Sequence, residues 1–335
     1  MVATLVTAQN VTQPTNIRLG TWNLRFDSMP DNITVQESLG ALPDPLVQPA
    51  FLNLTGEQPW STRRIKVAQR LIGEGVVLQG FQEALVRQVD DMATLLGDEW
   101  NWVGVGRDDG VAAGEFSPIF WKTSVFELLS NDSFWLSNQP FDAGSKFPGA
   151  GSVRICTATH MQVKATGKEF VYLNTHLDDQ SDDERILGAS LILWRARFEA
   201  SQNRTVLVTG DFNSPANDTA GQTDTGAYET ITGAIPPVAI NSTFMARFPI
   251  DNSTLPDFKM LDLRTQVPRF NVSGNYATFT GFNAPEDASE YSHIDFVFGG
   301  SNGGWTGLAQ KVETSLTDDG IIASDHRPVI GDIIL

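Results

Sequence analysis

Asp211 and Asn213 leave the end of an apolar run, Val206–Thr209, two residues apart. In an extended chain, positions i and i+2 face the same side. A carboxylate beside a carboxamide can hold a water and a phosphate oxygen together. Taken alone, the pattern is equally an Asx turn closing a strand. Other short segments end in the same way: Asn23, Glu83, His176, His293 with Asp295, and Asp325 with His326 each close or follow an apolar strand-like run. Hydrophobic burial needs none of these groups. Gathered at one edge of a sheet, acids, amides and histidines make a hard, oxygen-rich pocket, which is ligand chemistry for Mg²⁺ or Mn²⁺ and not for a thiolate zinc site. The single cysteine, Cys156, and the absence of a C-x-x-C pair agree.

The elements that must carry these residues can be read from periodicity. Ile17–Leu24 alternates as a strand. Ser61 can cap a helix running to about Glu74, with Ile65, Ala68, Leu71 and Ile72 as its buried stripe and Gly73 and Gly75 as its stop. Val76–Gly80 reads as a short strand and Leu85–Leu96 as a helix ended by Gly97. Consecutive strands are then predicted at Trp100–Gly106, Pro118–Trp121, Val125–Leu136, Arg154–Lys164 and Glu169–His176, with a hairpin turn around Gly167. Asp182–Ser201 is a helix whose three acids in the first turn suit the macrodipole. The last third predicts strands at Ala277–Phe282, Ser292–Phe298, Val312–Leu316 and Pro328–Ile334. Such a pattern predicts an α/β fold of four layers, two mostly antiparallel sheets packed face to face with helices outside.

The chain has 335 residues, 41% of them hydrophobic, and a net charge of −17. No Pro/Ser-rich linker or repeat divides it. We read residues 1–15 as a flexible leader and 16–335 as one catalytic domain, with surface insertions near 28–59 and 215–258 and a helix near Tyr228. The acidic balance disfavours long nucleic acids, whose binding rests on Lys and Arg contacts. It suits a site that gathers divalent cations. Sequons at Asn10, Asn32, Asn53, Asn131, Asn203, Asn217, Asn241, Asn252 and Asn271 point to a secreted, N-glycosylated protein. Met1–Ala8 lacks the basic start and the length of a signal peptide, which suggests a mature chain whose signal is replaced by an initiator Met. No membrane span is visible, and a monomer is expected.

The runs TWNLR (21–25), QE (82–83), NTHLD (174–178), GDFN (210–213), HIDFVF (293–298) and SDHRP (324–328) occur in this order. Together they resemble the endonuclease/exonuclease/phosphatase superfamily, the DNase I-like metal phosphoesterases. GVGRDDG (104–110), GEFSPIFWK (114–122) and SFWLS (133–137) look like its secreted or periplasmic branch. The resemblance covers roughly residues 17–335. It implies that Asn23 and Glu83 hold a divalent ion, Mg²⁺ or Mn²⁺, with Asp325 at or near it. It implies that Asp211 and Asn213 position the attacking water and the phosphate, that Asp295 orients His326, and that Glu115 is the carboxylate partner of His176. From the residues themselves, Arg25, Arg107, Asp178 and Arg185 are candidates for substrate contact.

Elementary chemistry supports such a set. A metal ion neutralises phosphate oxygens and lowers the pKa of bound water. Two histidines held by carboxylates can donate to phosphate or exchange a proton with water or leaving group. Plainer readings stand beside these: Glu83 as a helix N-cap, His176 as a core histidine, Asp325 as a turn cap, Asp108 and Asp109 as an ordinary turn, Arg185 as a solvated helix residue. His160, Trp22, Trp121 and Trp135 read as structural.

The expected activity is hydrolysis of a small phosphorylated or phosphodiester-linked compound of the sugar or inositol phosphate type. A secreted nuclease is the alternative, for which Arg63, Arg64 and Lys66 are the only basic cluster. A sphingomyelinase-like enzyme would need an exposed apolar hairpin, for which Leu39–Leu54 is the candidate. A catalytically dead binding protein would need a broken motif, and none is broken.

Overall fold

The computed structural model describes residues 15–335 apart from 45–46, 48–52, 217–222 and 252. Residues 1–14 of the expected leader and the sequons at Asn10, Asn217 and Asn252 lie outside the described residues, while Thr15 exchanges backbone hydrogen bonds with Leu335.

Two six-stranded sheets form among the described residues. The first runs in the order β11 (Thr306–Val312), β12 (Val329–Ile334), β1 (Asn16–Asn23), β2 (Leu78–Gln82), β4 (Ile119–Lys122), β3 (Trp100–Val103). The second runs β5 (Phe126–Trp135), β6 (Ile155–Val163), β7 (Glu169–His176), β8 (Thr205–Asp211), β10 (Asp295–Gly300), β9 (Met260–Asp262). Each sheet is antiparallel except for one central parallel pair, β1 with β2 and β7 with β8. Parallel neighbours need a crossover. Here α1 (Val35–Gly40) and α2 (Trp60–Glu74) bridge the first pair and α4 (Asp182–Ser201) the second, with α3 (Val86–Leu96) packed beside α2.

Three apolar clusters define the interfaces of four layers. Ile17, Leu19, Leu78, Phe170, Leu207 and Ile333 fill the space between the sheets. Trp60, Val67 and Leu71 of α2 and Val89 and Met92 of α3 cover the first sheet through Trp22, Phe81 and Phe120. Leu187, Leu191 and Ile192 of α4, with Phe244, cover the second through Leu173, Val208 and Phe296.

Several expectations are corrected. Ser61 does not cap α2: the cap position is Pro59, with no side-chain hydrogen bond, and the Ser61 hydroxyl instead donates to Asp31. Ile72 is 62% exposed and leaves the buried stripe to Val67, Ala68 and Leu71. The 28–59 insertion contains α1, started by a capping box between Thr34 and Glu37. Strand β2 lies two residues later than Val76–Gly80, because Gln79 and Gln82 are buried despite their polarity. Of 277–298 only Asp295 onward joins a ladder; Phe279 makes isolated bridges to Ser292 and His326. The helix near Tyr228 is α5 (Gly226–Ile231), followed by α6 (Ser242–Arg247).

Beneath one end of the sandwich the sheets are joined by a buried polar seam. Asn174 donates to the carbonyls of Phe81 and Pro118 and accepts from Gln82 at 2.7 Å and Thr209 at 3.2 Å. The sheets approach so closely that a Cβ on Gly80 would lie 2.4 Å from Asn174 Oδ1.

Candidate active site

Strand register assembles the site at the end of the sandwich that this seam supports. Parallel pairing of β7 with β8 sets His176 beside Asp211, and antiparallel β10 sets Asp295 on the other side of Asp211. In the facing sheet, β1 ends at Asn23 beside Gln82, so Glu83 is the next residue out. Three residues in the turns that follow hold backbone conformations rare for a side-chain-bearing residue: φ is 56° at Arg25, 58° at Glu83 and 45° at Asn213. Such strain costs of order 1–3 kcal/mol per residue, less for asparagine, and persists where surroundings enforce it. Here Glu83 accepts from Asn23 Nδ2 at 2.9 Å and from the Phe26 amide at 3.0 Å. The Arg25 amide donates to Asn23 Oδ1 and the Asn213 amide to Asp211 Oδ1. Asn23 Nδ2 also donates to Asp211 Oδ2 at 2.9 Å, so one carboxamide ties the two sheets' acids together.

These groups surround a cleft of about 340 Å³ lined by Arg25, Glu83, Glu115, His176, Asp211, Asn213, Asp325 and His326 among others. Asn23 and Asp295 stand directly behind that surface, fully buried. The larger cavity against α4, about 650 Å³, is mostly apolar and contains none of these residues.

The two histidines have opposite environments. His326 Nδ1 lies 2.9 Å from Asp295 Oδ2, and its Nε2 lies 3.6 Å from Asp211 Oδ2. Burial opposes its charge, but Asp295 and Asp211 outweigh burial and push its pKa up to about 10. His176 Nδ1 faces a donor, Arg154 Nη1 at 3.0 Å, and its Nε2 lies 3.0 Å from the Asn213 carboxamide and 3.5 Å from Asp211 Oδ2, an acceptor for an Nε2 proton. Burial and the Arg154 and Arg107 guanidiniums hold its pKa well below the usual range, so the ring is neutral. Glu115 is not its hydrogen-bond partner. The carboxylate lies 3.8 Å from Nδ1 and pairs with Arg107 at 2.5 Å, while Arg154 occupies the imidazole.

Carboxylates crowd here without enough cations to balance them. Burial, then Asp295, pushes Asp211 up to about 7. Burial and Glu83 push Glu115 to about 7, and burial with Glu83 raises Asp325 against the pull of His326. One oxygen of Asp295 is buried without a partner. Oxygen donors from Asn23, Glu83, Asp211 and Asp325, crowded together without matching positive charge, fit a hard divalent cation. Asp211, Asp295 and His326 also lie within ion-binding reach of one another.

Some expected residues fall elsewhere. Asp178 is a buried anchor: its carboxylate accepts from the amides of Gly151, Ser152, Gln180 and Ser181 and does not line the cleft. Arg185 is buried on α4, donating to the Asp178 carbonyl and pairing with Asp182. Arg107 stands behind Glu115 and donates no group to the main cleft. Asp109 is a turn residue whose carboxylate accepts three successive amides. His293 is buried beside the Tyr276 carbonyl, outside the cleft. Glu83 is not a helix cap; Leu85 is. Trp22, Trp121 and Trp135 are buried, and His160 pairs with Glu169 at the surface.

The residue that sequence reasoning missed is Arg154. It lines the cleft, touches His176, and is held by Asp178 at 3.4 Å and Asp179 at 2.8 Å. A signal existed. The hairpin around Gly167 pairs Gln162 with Glu169, and that register carried down the strands brings Ile155 opposite His176, with Arg154 one step beyond.

No protein-family model matches the chain, and no curated protein matches it. Solved structures do. An endonuclease/exonuclease/phosphatase from Bacteroides vulgatus superposes with a TM-score of 0.71 at 29% identity, covering 95% of this chain and 98% of that one. A mannosyl-6-phosphatase from Bacteroides thetaiotaomicron superposes at 0.67 and 24% identity over 95% of this chain and 100% of its own. TDP2 from D. rerio, solved with a single-strand DNA product, superposes at 0.58 and 14% identity over 95% and 99%. The last two likenesses are of fold alone.

Proposed function

This chain belongs to the DNase I-like endonuclease/exonuclease/phosphatase superfamily, and we propose that it is a divalent-metal-dependent phosphoesterase for a small phosphorylated substrate of the sugar or inositol phosphate type. The observation that carries this reading is the meeting of Asn23, Glu83, Asp211, Asp325 and His326, drawn from both sheets, around one cleft.

Asn23 and Glu83, with Asp325, would hold Mg²⁺ or Mn²⁺. The ion would neutralise phosphate oxygens and acidify a bound water. Asp211, ionised, takes the proton of the attacking water. His326, kept protonated by Asp295, donates to a phosphate oxygen. Asn213 and Arg154 face the same space and orient the phosphate, and neutral His176, whose Nε2 lies 3.5 Å from Asp211 Oδ2, stands beside the base as a further hydrogen-bonding group for the phosphate.

Three features favour a small substrate over nucleic acid. The cations facing the cleft are already matched at its rim, Arg25 by Glu57 at 3.3 Å and Arg154 by Asp179 at 2.8 Å. Of the basic cluster Arg63, Arg64 and Lys66, the two arginines are fully buried and Lys66 pairs with Asp319 at 2.6 Å, so it forms no track for a polyanion. Phe26, Phe279 and Ile294 give the cleft an apolar wall against which a ring could lie. The fold-level likeness to a protein named as a mannosyl-6-phosphatase supplies the first substrate to try.

Secretion and glycosylation belong to the same proposal. Asn32, Asn53, Asn131, Asn203 and Asn271 are exposed, while Asn241 is half-buried and caps α6. No helix among the described residues is long and apolar enough to cross a membrane.

The test is a substrate panel with Mg²⁺, Mn²⁺ or EDTA: mannose 6-phosphate, inositol phosphates, p-nitrophenyl phosphate and its bis ester, sphingomyelin and plasmid DNA. EDTA-sensitive release of phosphate from the sugar or inositol esters is expected. Rapid cleavage of DNA in preference to them would make the protein a nuclease, and no metal-dependent hydrolysis at all would make it a binding protein.

A further inference from the structure

Arg63 and Arg64 are the fourth and fifth residues of α2, near the positive end of the helix dipole, where cations are disfavoured. Both are fully buried. Arg64 has a carboxylate partner, Asp91 at 2.7 Å. Arg63 has none within ion-pair distance among the described residues. Its guanidinium donates only to backbone carbonyls: Nε to Gln58, Nη1 to Leu24 and Ala323, Nη2 to Arg25 and Phe26. A guanidinium has five N–H donors, and all five are used. The distances run from 2.6 to 3.3 Å.

The carbonyls come from three segments. Residues 24–26 follow Asn23 and include strained Arg25. Gln58 follows Glu57, the partner of Arg25. Ala323 lies two residues before Asp325. Two of these segments deliver ligands proposed above for the divalent ion.

We propose that Arg63 is a positioning residue that clamps the Asn23 turn and the Asp325 loop into one rigid half of the ion site. The inference rests on the proposed metal-binding reading of that cleft. Fixing both segments before the ion arrives removes their ordering cost from the binding step. A lysine keeps the charge but has three donors on one atom and cannot span five carbonyls.

Arg64 is the internal control. It lies on the same turn and is equally buried, but it ties down the carbonyls of Ile33 and Thr34 and the Ser38 hydroxyl, away from the ion site. Mn²⁺ titration followed by electron paramagnetic resonance should show at least tenfold weaker binding in Arg63→Lys and Arg63→Met, and an affinity within about twofold of wild type in Arg64→Lys. A merely structural role would shift both positions alike. In the wild-type protein, hydrogen exchange of peptides covering 23–28 and 322–327 should slow together, with one Mn²⁺ half-saturation, whether or not a variant folds. Equal Mn²⁺ affinity in a folded Arg63 variant, or separate half-saturations for the two peptides, would overturn the clamp. Failure of the wild-type protein to bind Mn²⁺ would instead overturn the reading of the cleft as an ion site.

Discussion

His326 and Asp211 share one buried corner, and their ionisation sets when the site can work. Asp211 must lose its proton to accept one from water, and burial beside Asp295 moves that loss up to about 7. His326 must keep its proton, and Asp295 with Asp211 holds it to about 10. In the ion-free protein the Asp211 carboxyl, followed by infrared titration, should therefore lose its proton as pH rises through about 7 while His326 keeps its own until about 10; an Asp211 carboxyl already ionised at pH 5 would contradict this pairing. His326→Ala should lower turnover by ~10²–10⁴-fold, the usual contribution of a general acid–base group, and a loss below tenfold would exclude it from the chemistry. At this scale the individual residues were legible, because each closes an apolar strand where burial needs no polar group. Their pairings were less so. Glu115 was expected on His176, but Arg154 takes that place and turns Glu115 toward Arg107. Asp178 and Arg185 carry the right charges for substrate contact, yet the turn before α4 points them into the scaffold. Pairing of this kind depends on neighbours from distant segments, which no local pattern specifies.

The strands deliver the site only if the two sheets keep their register against each other, and the seam around Asn174 is what fixes it. Asn174→Ala removes the side-chain donor to the buried Phe81 and Pro118 carbonyls, the latter keeping the Phe81 amide, and one of the two acceptors of the Gln82 amide, which keeps Thr21. Loss of about 2–4 kcal/mol of unfolding free energy is expected from denaturant titration, and a loss under 0.5 kcal/mol would show that packing alone aligns the sheets. The long elements, α4 and the strands from β5 to β8, lie within a few residues of their sequence-based bounds. Errors arose where polarity misleads. Gln79 and Gln82 are buried in or beside the seam, so β2 was read two residues early. The T-x-x-E box at Thr34 to Glu37 signals α1, but the surrounding prolines concealed it. Gly307 and a bulge hid β11, whose strand precedes the segment predicted.

Across the whole molecule, the net charge of −17 and the crowded cleft make the ion a part of stability as well as of chemistry. Glu115, Asp211 and Asp325 all have folded pKa values above those of an unfolded chain. The native state therefore binds more protons than the unfolded one between about pH 4 and 7, and ion-free stability should fall as pH rises through that window. Ion binding needs the ionised carboxylates, so stabilisation by Mg²⁺ or Mn²⁺ should grow over the same window. At a hundredfold excess over Kd it amounts to about 2.7 kcal/mol. Thermal melts at pH 5 and pH 8 with and without Mn²⁺ check both signs; an ion effect equal at the two pH values would contradict them. The central claim is that groups from both sheets converge to hold a divalent cation, and calorimetric titration of Mn²⁺ into folded wild type and Glu83→Ala tests it most directly. Saturable binding in the wild type and its loss in Glu83→Ala, with the thermal midpoint of the ion-free variant little changed, is the predicted result. Undiminished binding in the variant would place the ion elsewhere and contradict the account.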